Sequence, residues 1–173
     1  MQKGSQATFT ATYVLVGYAV GTQVTVEQQL PKYYAASTDS NSTEIRVTDG
    51  TRQYVCESST KTCSTPSATL SIMGFAGYYV ANYWVAKMQQ WPTYIPGQYN
   101  AVTITPSSTS LAGQPADCIT YKNPEETDRI CLFDSGVLAS VQSKDITFLM
   151  TQFSPTVSPG IFAVPAGYVV TAQ

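Results

Sequence analysis

The chain has 173 residues, of which 12% are charged, about half of the roughly 25% that is usual for globular domains. A net charge of −2 leaves no basic patch for nucleic acid, and the absence of His removes the commonest general base and metal ligand. With 43% hydrophobic residues the composition is that of a folded chain, and its length predicts one domain over residues 1–173.

Period-two alternation predicts that most of the chain forms antiparallel strands. The first strand alternates apolar residues with Thr and Val, and the apolar positions are Phe9, Ala11, Tyr13 and Leu15. A second strand follows around Val24 and Val26, and Pro31 predicts a bend or a sheet edge at its end.

The segment from Thr43 to Cys56 has the strongest hairpin pattern in the chain. Asp49-Gly50 supplies the positive φ values of a two-residue type I′ turn. Such a turn predicts that Ile45 lies opposite Tyr54 and that Val47 lies opposite Arg52.

Residues 68–91 break the strand pattern and predict a helix that covers the sheet. Pro66-Ser67 provides a cap before this segment and Pro92 ends it. Apolar side chains occupy a wide arc, so we expect protein or another apolar partner on more than one side. The uncharged run from Ala68 to Ala86 approaches the length of a membrane span, but its Tyr, Ser, Gly and Asn residues favour a covering helix.

Strands resume after Pro96-Gly97. The predicted elements are strands near 99–105, 116–122, 129–134, 137–142 and 144–153, a Ser/Thr loop over 106–114, and an extended tail over 154–173 that lies on the core.

Four cysteines form two close pairs in the sequence, which allow three connectivities. Cys56 with Cys63 and Cys118 with Cys131 is the favoured pairing, because each pair brackets a polar turn that would bring two strands together. Zinc is disfavoured by the lack of both a C-x-x-C spacing and His. Disulfides predict an extracytoplasmic location, secreted or on the cell surface.

Asn41-Ser42-Thr43 matches the acceptor pattern for N-glycosylation and lies in a polar stretch, which agrees with that location. No signal peptide precedes the first strand pattern, so we expect a targeting or membrane-anchoring segment to have been removed upstream.

Two groups of motifs resemble a known superfamily. The stretch Leu111-Ala112-Gly113-Gln114-Pro115-Ala116-Asp117-Cys118 and the stretch from Ile130-Cys131 through Asp134-Ser135-Gly136 to Leu138 resemble the LolA/LppX-like lipoprotein carriers. Asp49-Gly50, Tyr54-Val55-Cys56 and Cys63 resemble an earlier motif of the same group.

This resemblance implies an α+β, mainly β fold in which a strongly curved antiparallel sheet, a half-barrel, is covered by a central aromatic-rich helix. In that superfamily the covered space holds acyl chains. The residues that would line it here are Phe75, Tyr79, Trp84, Met88 and Trp91 on the cover and Tyr13, Leu15, Val24 and Val26 on the sheet.

No catalytic residues, cofactor or metal are predicted, because no Ser or carboxylate has the partners that catalysis needs. The first functional hypothesis is an extracytoplasmic binding protein for a lipid or another apolar ligand. The alternative is a structural or assembly module of a cell envelope, in a surface layer, a filament or a receptor ectodomain. Its aromatic segment would then be core or an interface with an envelope protein.

The low charge also predicts acid stability. Acid denaturation works largely by protonating carboxylates that the folded state needs in ionised form, and this chain has only 11 Asp and Glu. We therefore expect the protein to face an acidic exterior.

Overall fold

A computed structural model of the chain describes residues 7–17, 22–66, 103–122, 124, 126–144 and 147–171. Within these ranges twelve strands form one sheet. They are β1 (Phe9–Val16), β2 (Thr22–Gln29), β3 (Lys32–Thr38), β4 (Thr43–Thr48), β5 (Gln53–Glu57), β6 (Thr62–Ser64), β7 (Thr103–Leu111), β8 (Gln114–Lys122), β9 (Thr127–Phe133), β10 (Leu138–Gln142), β11 (Thr147–Ser154) and β12 (Val169–Thr171).

The sheet consists of two antiparallel meanders that meet at β1. Its strand order is β12-β6-β5-β4-β3-β2-β1-β11-β10-β9-β8-β7. Every neighbouring pair is antiparallel except β12 with β6, which is parallel. Residues 65–102 therefore connect β6, next to one end of the order, with β7 at the other end.

The α+β class expected from the sequence is wrong, because all the regular structure in the described ranges is β. Thr, Val, Ile and Tyr alternate with period two along these strands, and that pattern favours a half-buried sheet. The predicted helix over 68–91 lies outside the described residues. Among the residues that are described, no helix has the length and apolar character needed to cross a membrane.

The β4–β5 hairpin differs from its predicted register by two residues. Val47 lies opposite Tyr54 and Ile45 opposite Cys56, so the loop comprises residues 49–52. The Asp49 carboxylate accepts hydrogen bonds from the N–H groups of Thr51 and Arg52, each at 2.8 Å, and from the Thr51 hydroxyl at 2.7 Å. These bonds stabilise a wider turn than the two-residue turn that Asp-Gly alone predicts.

Glycine at position 50 is required by both conformation and space. Its φ is +96°, which side chains other than Gly adopt at a cost, and a Cβ there would lie 2.7 Å from Cγ of Pro31.

The main core lies on one face of the central strands. Its largest fully buried side chains come from β1, β2, β10 and β11, namely Phe9, Tyr13, Val24, Val26, Leu138 and Met150. The Tyr13 hydroxyl donates to the Leu138 carbonyl oxygen at 2.8 Å, so this ring crosses β11 to reach β10. A second, smaller cluster surrounds the Cys56–Cys63 disulfide and includes Ile45 and Ala36.

Residues 155–168 form a strap that follows β11 and leads to β12. The strap contacts β1 and then β2, where Glu27, with 4% of its surface exposed, accepts from the Ser158 N–H at 2.6 Å and the Ser158 hydroxyl at 2.9 Å. Farther along, Val164 and Tyr168 pack against the second cluster. Burial raises the pKa of the Tyr34 hydroxyl, and the nearby Glu27 and Tyr168 raise it further. The strap thus attaches the C-terminal part of the chain to the first meander.

The Glu27–Ser158 contact can be tested by Ser158→Ala. Loss of the hydroxyl leaves one buried carboxylate oxygen without its donor, so we expect the free energy of unfolding to fall by about 1–2 kcal/mol. Hydrogen exchange should increase in residues 155–168 more than in β10. Ser40→Ala, at an exposed turn position, serves as the matched control. Equal effects of both substitutions on stability and exchange would contradict a specific role for Ser158.

The Asp49 turn predicts how stability depends on pH. Its hydrogen bonds with the N–H of Arg52 and with Thr51 lower the pKa of Asp49 from 3.8 to about 2. Because the folded state favours the ionised form, this contribution is complete above the unfolded pKa of 3.8 and is lost as the pH falls through about 2. The melting temperature should therefore show no Asp49-linked decrease between about pH 7 and about pH 4.

Scanning calorimetry of Asp49→Asn provides the comparison. The variant should melt at a lower temperature at neutral pH and should lose part of the decrease that the wild type shows below about pH 4. A variant that follows the wild-type pH profile in parallel would show that Asp49 does not cause it.

Candidate functional site

Five of the residues predicted to line an apolar cavity, Phe75, Tyr79, Trp84, Met88 and Trp91, lie outside the described residues. Of the other four, Val24 and Val26 lie in β2 and are buried in the main core, whereas Tyr13 and Leu15 lie in β1. Tyr13 has no exposed surface and its hydroxyl is bonded to Leu138, so it is a core residue. Leu15 is partly buried and packs against the same core.

The predicted disulfides are present with the local pairing, Cys56–Cys63 and Cys118–Cys131. Each joins residues directly opposite one another on adjacent strands. Asn41 is exposed in a turn where its N–H donates to Asp39 at 2.7 Å. In the described ranges no three His, Cys, Asp or Glu residues lie close enough to hold a metal ion.

The most distinctive surface is β7, at the end of the sheet. This strand has nine residues with the sequence TITPSSTSL, and seven of its nine positions are exposed. Its inner side pairs with β8 along its whole length, and the described part of the chain places no strand on its outer side. The sequence had predicted a loop from Pro106 onward, whereas the strand continues through this proline to Leu111.

The geometry of the Cys118–Cys131 disulfide shows which backbone groups of β7 point outward. Its Cα atoms are 4.0 Å apart, which corresponds to the narrow, non-hydrogen-bonded type of antiparallel pair. The N–H and C=O of Cys118 therefore point away from β9 and toward Ser107, its partner on β7. Along β7 the odd-numbered residues bond to β8, and the even-numbered residues direct their N–H and C=O groups to the open side.

The positions of two prolines agree with the assignment of odd-numbered β7 residues to the β7–β8 ladder and of even-numbered residues to the open side. Pro106 is even-numbered, so its missing N–H removes a donor from the open side and none from the β7–β8 ladder. Pro115 lies opposite Ser110, also at a non-hydrogen-bonded pair. Beyond Pro106, the open side presents the N–H groups of Ser108 and Ser110.

An apolar recess of about 240 Å³ lies on the sheet face beside this edge. Its lining residues belong to β8 and β9 and are Asp117, Ile119, Ile130, Leu132 and Phe133. Ile119 is 40% exposed although its cross-strand neighbour Ile130 is buried. On β7 the residues of this face are Ile104, which is 63% exposed, Pro106 and Ser108.

Asp117 gives the rim of the recess a negative charge. It is exposed, and one of its carboxylate oxygens accepts from the Ser108 hydroxyl at 2.9 Å. Within the described ranges the only ion pair is Arg46–Glu44, so Asp117 has no cationic partner there. Lys122 is in β8 as well, but it is five positions after Asp117, and an odd offset along a strand places it on the opposite face.

A second recess, of about 310 Å³, lies between the strap and the β2–β3 turn. Its lining combines Lys32 and Gln29 with strap residues that include Ser158 and Phe162. Its volume is at the lower limit of ligand sites, which span about 300–1,000 Å³. The 240 Å³ recess beside β7 is smaller and matches a side chain better than a whole ligand.

The sequence does not predict the edge site, because a proline at position 106 predicts the end of a strand. One signal could have revealed it. A proline at an outward position leaves the inner ladder intact, and such positions are found on edge strands. The run from Thr103 to Leu111 without any charge is compatible with an edge that is open to pairing.

No protein-family model and no curated protein matches the sequence. Solved structures do match in fold. A structure of MucB has a TM-score of 0.54 at 15% identity and covers 96% of this chain. The structure of MucB in complex with MucA(peri) has a TM-score of 0.56 at 15% identity and covers 94% of this chain. The MucA/MucB complex from Pseudomonas aeruginosa has a TM-score of 0.55 at 14% identity and covers 96% of this chain.

This chain spans only 55–59% of the length of these three MucB chains. At such low identity the likeness concerns the fold alone. The chain thus shares a fold with these MucB chains, and the likeness identifies no family.

The alternating backbone of β7 predicts alternating hydrogen exchange. The N–H groups of Ser107 and Thr109 are bonded to β8 and should exchange slowly, whereas those of Ser108 and Ser110 should exchange rapidly. Residue-resolved exchange by NMR tests this in the free protein. Slow exchange at Ser108 and Ser110 would show that the outer side of β7 is already paired.

Proposed function

We propose that the chain is an extracytoplasmic binding module that accepts an extended segment of a partner protein on the outer side of β7, without catalysing a reaction. One observation carries this proposal: β7 is a nine-residue, uncharged, exposed strand at the end of the sheet that the described residues form. Such an edge binds extended peptides through main-chain hydrogen bonds, while nearby pockets select side chains.

The location follows from the cysteines. Both disulfides join residues that are opposite each other in the sheet, and such bonds persist in oxidising compartments. We further propose that the module is tethered to or works at a cell envelope. The fold neighbours support a role in partner binding, since two of those structures are complexes of MucB with MucA.

A protein segment fits the described surface better than a lipid. Of the sheet residues expected to line an acyl cavity, Tyr13, Val24 and Val26 belong to the main core and Leu15 packs against it. The recess beside β7 is smaller than the sites that enclose whole small ligands. An envelope-assembly role would use the same edge, because assembly by strand pairing also requires unpaired backbone groups.

Substitution of Ser110 by proline tests the edge without disturbing the β7–β8 ladder. Ser110→Pro removes one outward N–H, and peptides selected on the wild-type protein from a displayed random library should bind the variant at least about tenfold more weakly. Ser110→Ala retains the N–H and is the matched control, which should bind as the wild type does. Unchanged thermal melting would establish that both variants are folded.

Two results would contradict the proposal. One is a set of selected peptides whose affinities for Ser110→Pro and Ser110→Ala are equal. The other is a binding footprint, mapped by amide chemical shifts, that leaves Ser108 and Ser110 unchanged.

A further inference from the structure

We propose that the segment bound at β7 carries an aromatic residue and a basic residue two positions apart, the first directed at the apolar recess and the second at Asp117. This inference rests on the proposed function and names the chemistry of the partner segment. It follows from which residues of β7 and β8 share a face and from the length that an aromatic side chain spans on this sheet.

The spacing of two comes from the register of β7 with β8. Pro106 lies opposite Ile119, and Ser108 lies opposite Asp117. Successive side chains on one face of a strand are two residues apart, so an added strand has one side chain beside Pro106 and the next beside Ser108. The side chain beside Pro106 faces the apolar part of the recess at Ile119, and the side chain beside Ser108 faces the carboxylate of Asp117.

The reach of an aromatic side chain is already shown by Tyr13. From β1 it crosses β11 and bonds to the backbone of β10, two strands away. An aromatic side chain on a strand added to β7 would, by the same geometry, cross β7 and arrive at β8, where Ile119 lies. Pro106 and Ser108 leave room for this crossing, because both have short side chains.

The charge complementarity is provided by Asp117, which is exposed on the recess face of β8. Among the described residues of β8 and β9, Lys122 and Arg129 are on the other face. A Lys or Arg of the bound segment beside Ser108 would therefore meet the Asp117 carboxylate. A second copy of β7 lacks this chemistry, since its sequence has neither an aromatic nor a basic residue.

The test compares two synthetic peptides with alternating Thr and Val. One carries Phe and Lys two positions apart, so both are on one face. The other has the same composition, with Phe and Lys at adjacent positions and therefore on opposite faces. We expect the same-face peptide to bind the wild-type protein at least about tenfold more tightly, because only it buries the ring while pairing the charge.

Two substitutions assign the contacts. Asp117→Asn should weaken binding of the same-face peptide about threefold, an effect that decreases at high salt, and should not affect a peptide with Gln in place of Lys. Ile119→Ala should reduce the advantage of Phe over Ala in the peptide. Asp134→Asn, at an exposed turn after β9, is the matched control and should change neither affinity.

The outcomes separate this inference from the proposed function. Equal binding of both peptides, weakened by Ser110→Pro but not by Asp117→Asn, would overturn the inference and leave edge binding intact. Failure of all peptides to respond to Ser110→Pro would overturn both. Dimerisation of the free protein through β7, detected by sedimentation and abolished by Ser110→Pro, would replace the partner segment with a second copy.

Discussion

The pairing of β1 with β11 is the contact on which the rest of the sheet depends. It joins the strand that begins the first meander to the strand that ends the second, so each meander contributes one half of a continuous sheet. Tyr13 strengthens the same junction, because its ring crosses β11 and its hydroxyl bonds to Leu138 on β10. With the two meanders joined at their inner strands, β6 and β7 necessarily lie at opposite sides of the sheet.

The two edges of the sheet differ in how they are covered. At the β6 side the chain itself returns: the strap crosses the first meander, Glu27 holds it at Ser158, and β12 then pairs with β6. The β7 side has no such continuation in the part of the chain that the structure describes. The long, exposed strand is therefore where we propose that a strand from another chain is added.

Local patterns predicted much of this structure, and the errors came from side-chain hydrogen bonds and strand pairing that the patterns do not encode. Alternation located β1 and β2, and the cysteine spacing predicted both disulfides. The Asp49-Gly50 turn was misjudged because its side-chain hydrogen bonds with Thr51 and Arg52 favour a four-residue loop. The loop predicted from Pro106 onward is wrong because the effect of a proline depends on which side of β7 is open, and this is decided by the register of β7 with β8.

Pro106 and Asp117 also explain why the open edge favours a different chain over a second copy. In a two-fold symmetric pair of β7 strands each contact is made twice, so each unfavourable feature also occurs twice. Both copies of Pro106 would leave a carbonyl of the other strand without a donor, and neither copy of β7 carries a basic residue for the Asp117 of the other. A partner segment meets the missing donor once and can offset the negative charge with its own basic residue. The same two residues therefore leave the edge open to a partner while opposing self-pairing.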